Sequence, residues 1–200
     1  MAHNFENLTE VTLEDLARVN LPRYTGMPLE EFGEYILLCN FKHYMLSFSE
    51  HYNVPIYGED KPMKAATANN ITFINFGIGS SNAALVMDAL TAIKPKACLF
   101  LGKCGSLKER VKVGEYIVPI GAIRGEGTSD DYMDPRVPSI PSLALERAVS
   151  HVVKDYKQDY FSGVIYTTNR RMWEHDKIFK EKLTSMKATG IDMETATIFT

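Results

Sequence analysis

Long runs of lysine and arginine are missing from this sequence, and no apolar stretch approaches membrane-spanning length. With a formal net charge of −3 over 200 residues, the first absence argues against nucleic-acid binding as the main task, and the second leaves no candidate for a bilayer span. The N-terminus, Met1-Ala2-His3-Asn4-Phe5-Glu6, lacks a basic region followed by an apolar one. Cysteine is scarce. Cys39, Cys98 and Cys104 sit in apolar or Gly-rich surroundings without metal-ligand spacing, and they read as reduced thiols of a cytoplasmic protein. No activating partner stands near Cys104 in the sequence, which weighs against a redox or nucleophilic role. His3, His43, His51, His151 and His175 are scattered without ligand spacing, so no metal is expected. Internal repeats, low-complexity tracts and a convincing linker are also lacking, so one α/β domain, or a large part of one, is expected.

What is present is an alternation of strand-like and helix-like segments. Apolar runs of strand length occur at Tyr35–Cys39, Ile71–Phe76, Ala97–Leu101, Glu115–Ile123, Gly163–Thr168 and Ala188–Ile191. Helical spacing covers Lys42–Tyr52, Ala83–Ile93, Leu143–Asp155 and Glu174–Thr184. A short amphipathic helix is expected over Leu8–Arg18, broken by Leu21-Pro22-Arg23-Tyr24-Thr25-Gly26. This order predicts an α/β sheet whose ligand loops gather at strand ends.

Two Gly-containing strand-to-helix loops offer backbone N–H groups to an anion. They are Phe76-Gly77-Ile78-Gly79-Ser80-Ser81 and Gly102-Lys103-Cys104-Gly105, the second with a cation added. Neither is a dinucleotide fingerprint or a P-loop, and a tight turn needing small residues explains each as well. Thr167-Thr168-Asn169-Arg170-Arg171-Met172-Trp173 brings hydroxyls, an amide and two guanidiniums to a strand end. That set suits a base edge or a phosphate, or else a solvated loop with Trp173 in the core. His175-Asp176 invites an acid/base reading, but Glu174 and Asp176 fit a helix start better. In Gly190-Ile191-Asp192-Met193-Glu194-Thr195-Ala196-Thr197 a strand approach from Met186 delivers a Met-Glu pair to a short apolar segment. The Glu194 carboxylate can accept from two neighbouring hydroxyls, as gripping a ribose 2′,3′-diol requires. On these residues alone, an acid near a helix N-terminus is the simpler account.

Taken together and in this order, the loops resemble the purine nucleoside phosphorylase/uridine phosphorylase superfamily from about Leu21 to Thr200. Asp192-Met193-Glu194-Thr195 is a signal of the superfamily as a whole, while segments Ala122–Tyr132 and Tyr166–Asp176 together are similar to the branch that hydrolyses AMP. The resemblance implies a mixed, twisted central β-sheet flanked by helices, with residues 1–21 an N-terminal extension and residues 22–200 the catalytic domain. It implies a homo-oligomer, usually a hexamer built from dimers, that cleaves the N-glycosidic bond of AMP with water and needs no cofactor. By the same resemblance Met193 and Glu194 hold the ribose, and residues near Arg171 and Met172, with Asn169 and Arg170, border the base. The Gly79 loop and Gly102, Lys103, Cys104 and Gly105 surround the sugar and phosphate end.

Two departures from the superfamily pattern shape the expectation. Its phosphorylase branch carries arginines for attacking phosphate, whereas here Lys103 is the only cation in the second loop, and Lys42 and His43 stand where that branch has an arginine. This favours a phosphate already attached to the substrate, with Lys42, His43, Lys103 and Arg170 as candidates to meet it. The resemblance also puts the leaving-group acid, an aspartate, past Thr200; Asp192 is not its positional equivalent, and no catalytic residue is assigned. A helix from Met193 to Thr200 is short and a missing closing strand would bare a sheet edge, so a fragment of a longer enzyme is expected. Two alternatives remain: a phosphate-dependent purine nucleoside phosphorylase, or a non-catalytic nucleotide-binding module.

Overall fold

The computed structural model describes residues 11–200. Its residues form two compact units. One holds the described residues up to Gly77 together with Leu85–Leu101; the other holds Ile78–Ala84 and Gly102–Thr200. Each contains a four-stranded mixed sheet with helices packed on it, so the mixed sheet expected from the sequence is present as two. Among the described residues no helix is long and apolar enough to cross a membrane.

The first unit opens with α1 (Leu13–Thr25). Thr12 caps it reciprocally with Asp15, each side chain accepting from the other's backbone N–H at 3.1 and 3.0 Å. Leu8, Thr9 and Glu10, expected in this helix, lie outside the described residues. The predicted break does not occur, because the helix runs through Pro22 to a left-handed Gly26, whose N–H donates to the Pro22 carbonyl at 2.7 Å. Ala17 and Leu21 are buried against Ala89 and Ala92, and that packing outweighs the bond lost at Pro22.

The first sheet has the order β2-β3-β1-β4. β1 (Tyr35–Cys39) lies parallel to both β3 (Ile71–Asn75) and β4 (Ala97–Leu101), while β2 (Lys64–Ala68) pairs antiparallel with β3. α2 (Lys42–Tyr52) covers the sheet through Met45 and Phe48, which join Cys39, Ala66 and Phe73 in one core. β2 was not expected, since Lys-Ala-Ala-Thr-Ala has little strand character. Its signal is the two-residue Asn69-Asn70 turn, with φ of 50° and 65°, which suits a tight hairpin.

α3 (Ser80–Leu90) starts three residues before the expected Ala83, and Thr91–Ile93 close it in tight turns. The second sheet has the order β5-β8-β7-β6. β6 (Tyr116–Gly125) and β7 (Tyr160–Thr168) run parallel, with a register shift between Pro119 and Gly121. β8 (Gly190–Asp192) lies parallel to β7 and antiparallel to β5 (Gly105–Ser106). α4 (Leu143–Asp155) packs on β6. α5 (Lys177–Ser185) begins after Asp176, whose carboxylate caps Phe179 N at 2.9 Å; Glu174, the expected start, is tied instead to Arg171 and Trp173 N. Met186 closes α5 rather than opening a strand, and α6 (Thr195–Phe199) starts after Met193-Glu194 rather than at Met193.

The sheet of this unit is tightest at Gly163, where an added Cβ would stand 1.9 Å from the Thr189 hydroxyl oxygen and 2.8 Å from its Cβ. Gly163→Ala is therefore expected to destabilise the chain by about 1–3 kcal/mol, read as a lowered urea midpoint at unchanged slope.

Candidate functional site

Two segments singled out in the sequence meet in the second unit. The Glu194 carboxylate is buried, with 3% of the residue exposed; Oε1 accepts from Gly79 N at 2.7 Å and Oε2 from Met193 N at 3.2 Å. Ser80 Oγ donates to the Met193 carbonyl at 2.6 Å. Gly79 adopts φ 98°, which a residue with a Cβ rarely tolerates, although nothing lies within 4 Å of the Cβ position. Backbone conformation, not crowding, therefore requires glycine here. The Gly79-Ser80 turn and the Met193-Glu194 pair are joined by two bonds that fix the acid at the start of α6.

A second buried acid sets the approach to that turn. Asp192 ends β8 and accepts from Thr167 Oγ1 on Oδ1 at 2.8 Å. Its Oδ2 accepts from Thr195 N at 2.8 Å and from Thr195 Oγ1. Thr167 Oγ1 in turn accepts from Ala196 N at 2.9 Å. Burial pushes the Asp192 carboxyl above its ordinary range, and hydrogen bonds from Thr195 and Thr167 oppose the shift without cancelling it. Its oxygens are turned into the start of α6, which makes it a brace for the turn.

Sequence reasoning quoted the Ala122–Tyr132 segment but drew no site residue from it. There Glu126 is buried, and its Oε1 accepts from Ser129 N at 3.0 Å and Thr197 Oγ1 at 2.9 Å. Burial raises its carboxyl, but hydrogen bonds led by the Ser129 side chain outweigh that and hold it below the usual glutamate value. The Arg124 side chain, 5% exposed, bonds Ser129 Oγ (2.8 Å), the Asp134, Val137 and Met133 carbonyls (2.6, 3.1 and 2.6 Å) and Asp130 Oδ1 (3.0 Å). The density of charged and hydroxyl residues in Arg124–Asp131 was the available signal.

The other nominated residues have contacts of their own. Asn169, Arg170, Arg171 and Met172 are exposed, Met172 at 75%. Arg170 pairs with Asp176 at 3.0 Å and lies over the Phe179 ring at 4.6 Å, while Arg171 pairs with Glu174 at 2.8 Å. Gly102, Lys103 and Cys104 form an exposed loop leading to Gly105, which pairs with Ile191. Lys42 and His43 belong to the first unit, where they open α2; His43 stacks on Tyr44 with ring centres 3.9 Å apart. Among the described residues no group of three or more His, Cys, Asp or Glu side chains is placed to hold a metal.

The fold and this site define a class. The chain belongs to the phosphorylase superfamily, whose family model matches residues 34–200. It is 53% identical to the AMP nucleosidase of Bacteroides thetaiotaomicron VPI-5482, whose crystal structure superposes with a TM-score of 0.92 over 95% of this chain and 81% of that one. It is 27% identical to the AMP nucleosidase of Escherichia coli K12 over 92% of its length, and spans 48%, about half, of that curated relative. Uridine phosphorylase from Vibrio fischeri ES114, 23% identical with a TM-score of 0.78 over 86% of this chain and 73% of that one, shares the fold.

Two outcomes test this geometry. Because the folded Glu126 carboxyl sits below its ordinary 4.5, the stability it adds is present above 4.5 and lost as pH falls through its lower folded value. Glu126→Gln is thus expected to cost about 1–3 kcal/mol at neutral pH, with the gap to the parent chain closing in acid, as urea titrations at several pH values will measure. Although Cys104 is exposed as a residue, its sulfur is packed against Gly190, and this desolvation, with the Asp192 charge second, pushes the thiol up from 9.0 to about 11. Its thiolate fraction at neutral pH is then roughly 100-fold below that of an ordinary thiol. Alkylation of the Cys104 peptide, followed by mass spectrometry, should rise with pH toward an inflection near 11 rather than 9.

Proposed function

We propose that this chain is part or all of an enzyme that hydrolyses AMP to adenine and ribose 5-phosphate, in purine nucleotide salvage or degradation. The single observation carrying the reading is the buried Glu194 carboxylate, held at the start of α6 by Gly79 N and Met193 N. The 53% identity to an AMP nucleosidase over nearly the whole chain supports the choice of substrate. In this reading residues 22–200 act as one catalytic domain in a cytoplasmic homo-oligomer.

As the C1′–N9 bond of AMP lengthens, positive charge grows on the ribose and electrons move into the purine. Glu194 stabilises that cationic sugar and, through the 2′- and 3′-hydroxyls, holds it in reacting geometry, while Met193 packs on the sugar. Protonating the purine, at N7, makes it a neutral leaving group, a contribution of typically 10²–10⁴-fold. No residue of this chain is assigned that proton. Asn169, Arg170, Arg171 and Met172 border the base. Gly79, Gly102, Cys104 and Gly105 line the sugar and phosphate end, and the 5′-phosphate meets a cation drawn from Lys42, His43, Lys103 and Arg170. The Arg170 and Arg171 ion pairs with Asp176 and Glu174 would have to exchange for substrate contacts as AMP enters.

A phosphorylase reading has less support, because Lys103 is the only cation of its loop where that branch of the superfamily carries arginines. Adenine release from AMP and adenosine, with and without inorganic phosphate, by this chain beside a C-terminally extended one, separates the readings. Ribose 5-phosphate formed from AMP without added phosphate is the expected result, and Glu194→Gln should lower kcat/KM by about 10²-fold or more. Cleavage of adenosine only in the presence of phosphate would overturn the reading in favour of a phosphorylase. AMP binding without adenine release, by this chain and by the extended form alike, would point to a nucleotide-binding module.

A further inference from the structure

The second unit carries a cleft of about 300 Å³ whose lining includes none of the residues assigned above to AMP. Its apolar surface comes from Leu107 and Trp173, backed by Leu183 and Ala188, which are buried in the core cluster that includes Tyr166 and Ile191. The Trp173 indole, edge-on to Phe179 at 6.0 Å, forms one side, and Lys108, Lys180 and Thr184 complete the lining.

The polar chemistry of this lining has one sign. Among the described residues neither the Lys108 nor the Lys180 ammonium has a carboxylate within ion-pair reach, and the indole N–H has no acceptor. The acids nearest Trp173 in sequence, Glu174 and Asp176, are already paired with Arg171 and Arg170. Among the described residues no acidic side chain lines the cleft. Two ammoniums and an indole N–H are donors with nothing to accept from them. An apolar surface beside a ring face, flanked by unpaired cations, is complementary to a flat apolar body bearing a negative group. The volume is at the lower end for small-ligand pockets, enough for one ring system rather than a peptide or a nucleotide.

We propose that this cleft binds a small aromatic anion, a single ring system with one carboxylate, whose ring lies over Leu107 against Trp173 and whose acid lies between Lys108 and Lys180. The inference does not rest on AMP hydrolysis.

Trp173 is the only tryptophan of the chain, so its emission reports this cleft directly. The probe is 4-nitrobenzoate, a quencher, with 4-nitrobenzamide as its uncharged counterpart, titrated into the 200-residue chain under excitation that spares tyrosine. Saturable quenching by the benzoate is expected, with the amide at least about tenfold weaker. Lys108→Met and Lys180→Met keep most of the aliphatic stem and should each weaken the benzoate about tenfold, with circular dichroism unchanged. Lys157→Met, outside the lining, should leave the isotherm as it was, and so should saturating AMP. Equal binding of benzoate and amide, unsaturable quenching, indifference to both cleft substitutions, or displacement by AMP would each overturn the proposal.

Discussion

A carboxylate shut away from water must be held by donors, and for Glu194 two backbone N–H groups do this, those of Gly79 and Met193. That constraint reaches outward. Gly79 has to present its N–H, which demands a left-handed backbone and hence glycine. Ser80 must follow closely enough for its hydroxyl to reach the Met193 carbonyl, which fixes where α3 starts. The chain must also turn sharply after β8, and the Asp192 side chain secures that turn by accepting from Thr195.

α6 shows why such bracing is needed. Five residues make little more than one turn, too short to be stable by its own backbone bonds. It is held from several directions instead: Thr167 accepts from Ala196 N, Ser139 donates to the Ala196 carbonyl, and Glu126 takes the Thr197 hydroxyl. Each contact comes from a segment distant in sequence, so the position of Glu194 summarises the folding of β6, β7 and the loop between them. A nearly dry polar network of this kind resists small shifts, because breaking any one bond leaves a buried group unsatisfied.

Much of the framework was legible in the sequence where apolar runs were unambiguous. Tyr35–Cys39, Lys42–Tyr52, Ala97–Leu101 and Leu143–Asp155 have the bounds their patterns predict. Elements decided by tertiary contact were less visible. Pro22 is helical because Leu21 is buried, and β2 is a strand because a hairpin lays it on β3. Of the candidate site, Gly79 and Glu194 could be nominated separately, but their bond joins residues far apart in the chain and no local pattern encodes it. Arg170 and Arg171 read in sequence as suited to a base edge or a phosphate; in the structure Asp176 and Glu174, a few positions on, fold back to meet them. Glu126 and Arg124 were missed as individuals because their partners lie in a loop without regular spacing.

The way Arg124 is held has an electrostatic corollary. Its guanidinium meets three carbonyls, a hydroxyl and the Asp130 carboxylate, and it does so almost out of contact with water. Mobile ions weaken attractions between exposed charges, and much less those between a buried cation and neutral dipoles. The loop it gathers, from Ser129 to Val137, should therefore keep its form across a wide range of ionic strength. The exposed ion pairs of Arg171 with Glu174 and Lys96 with Glu34 should loosen over the same range.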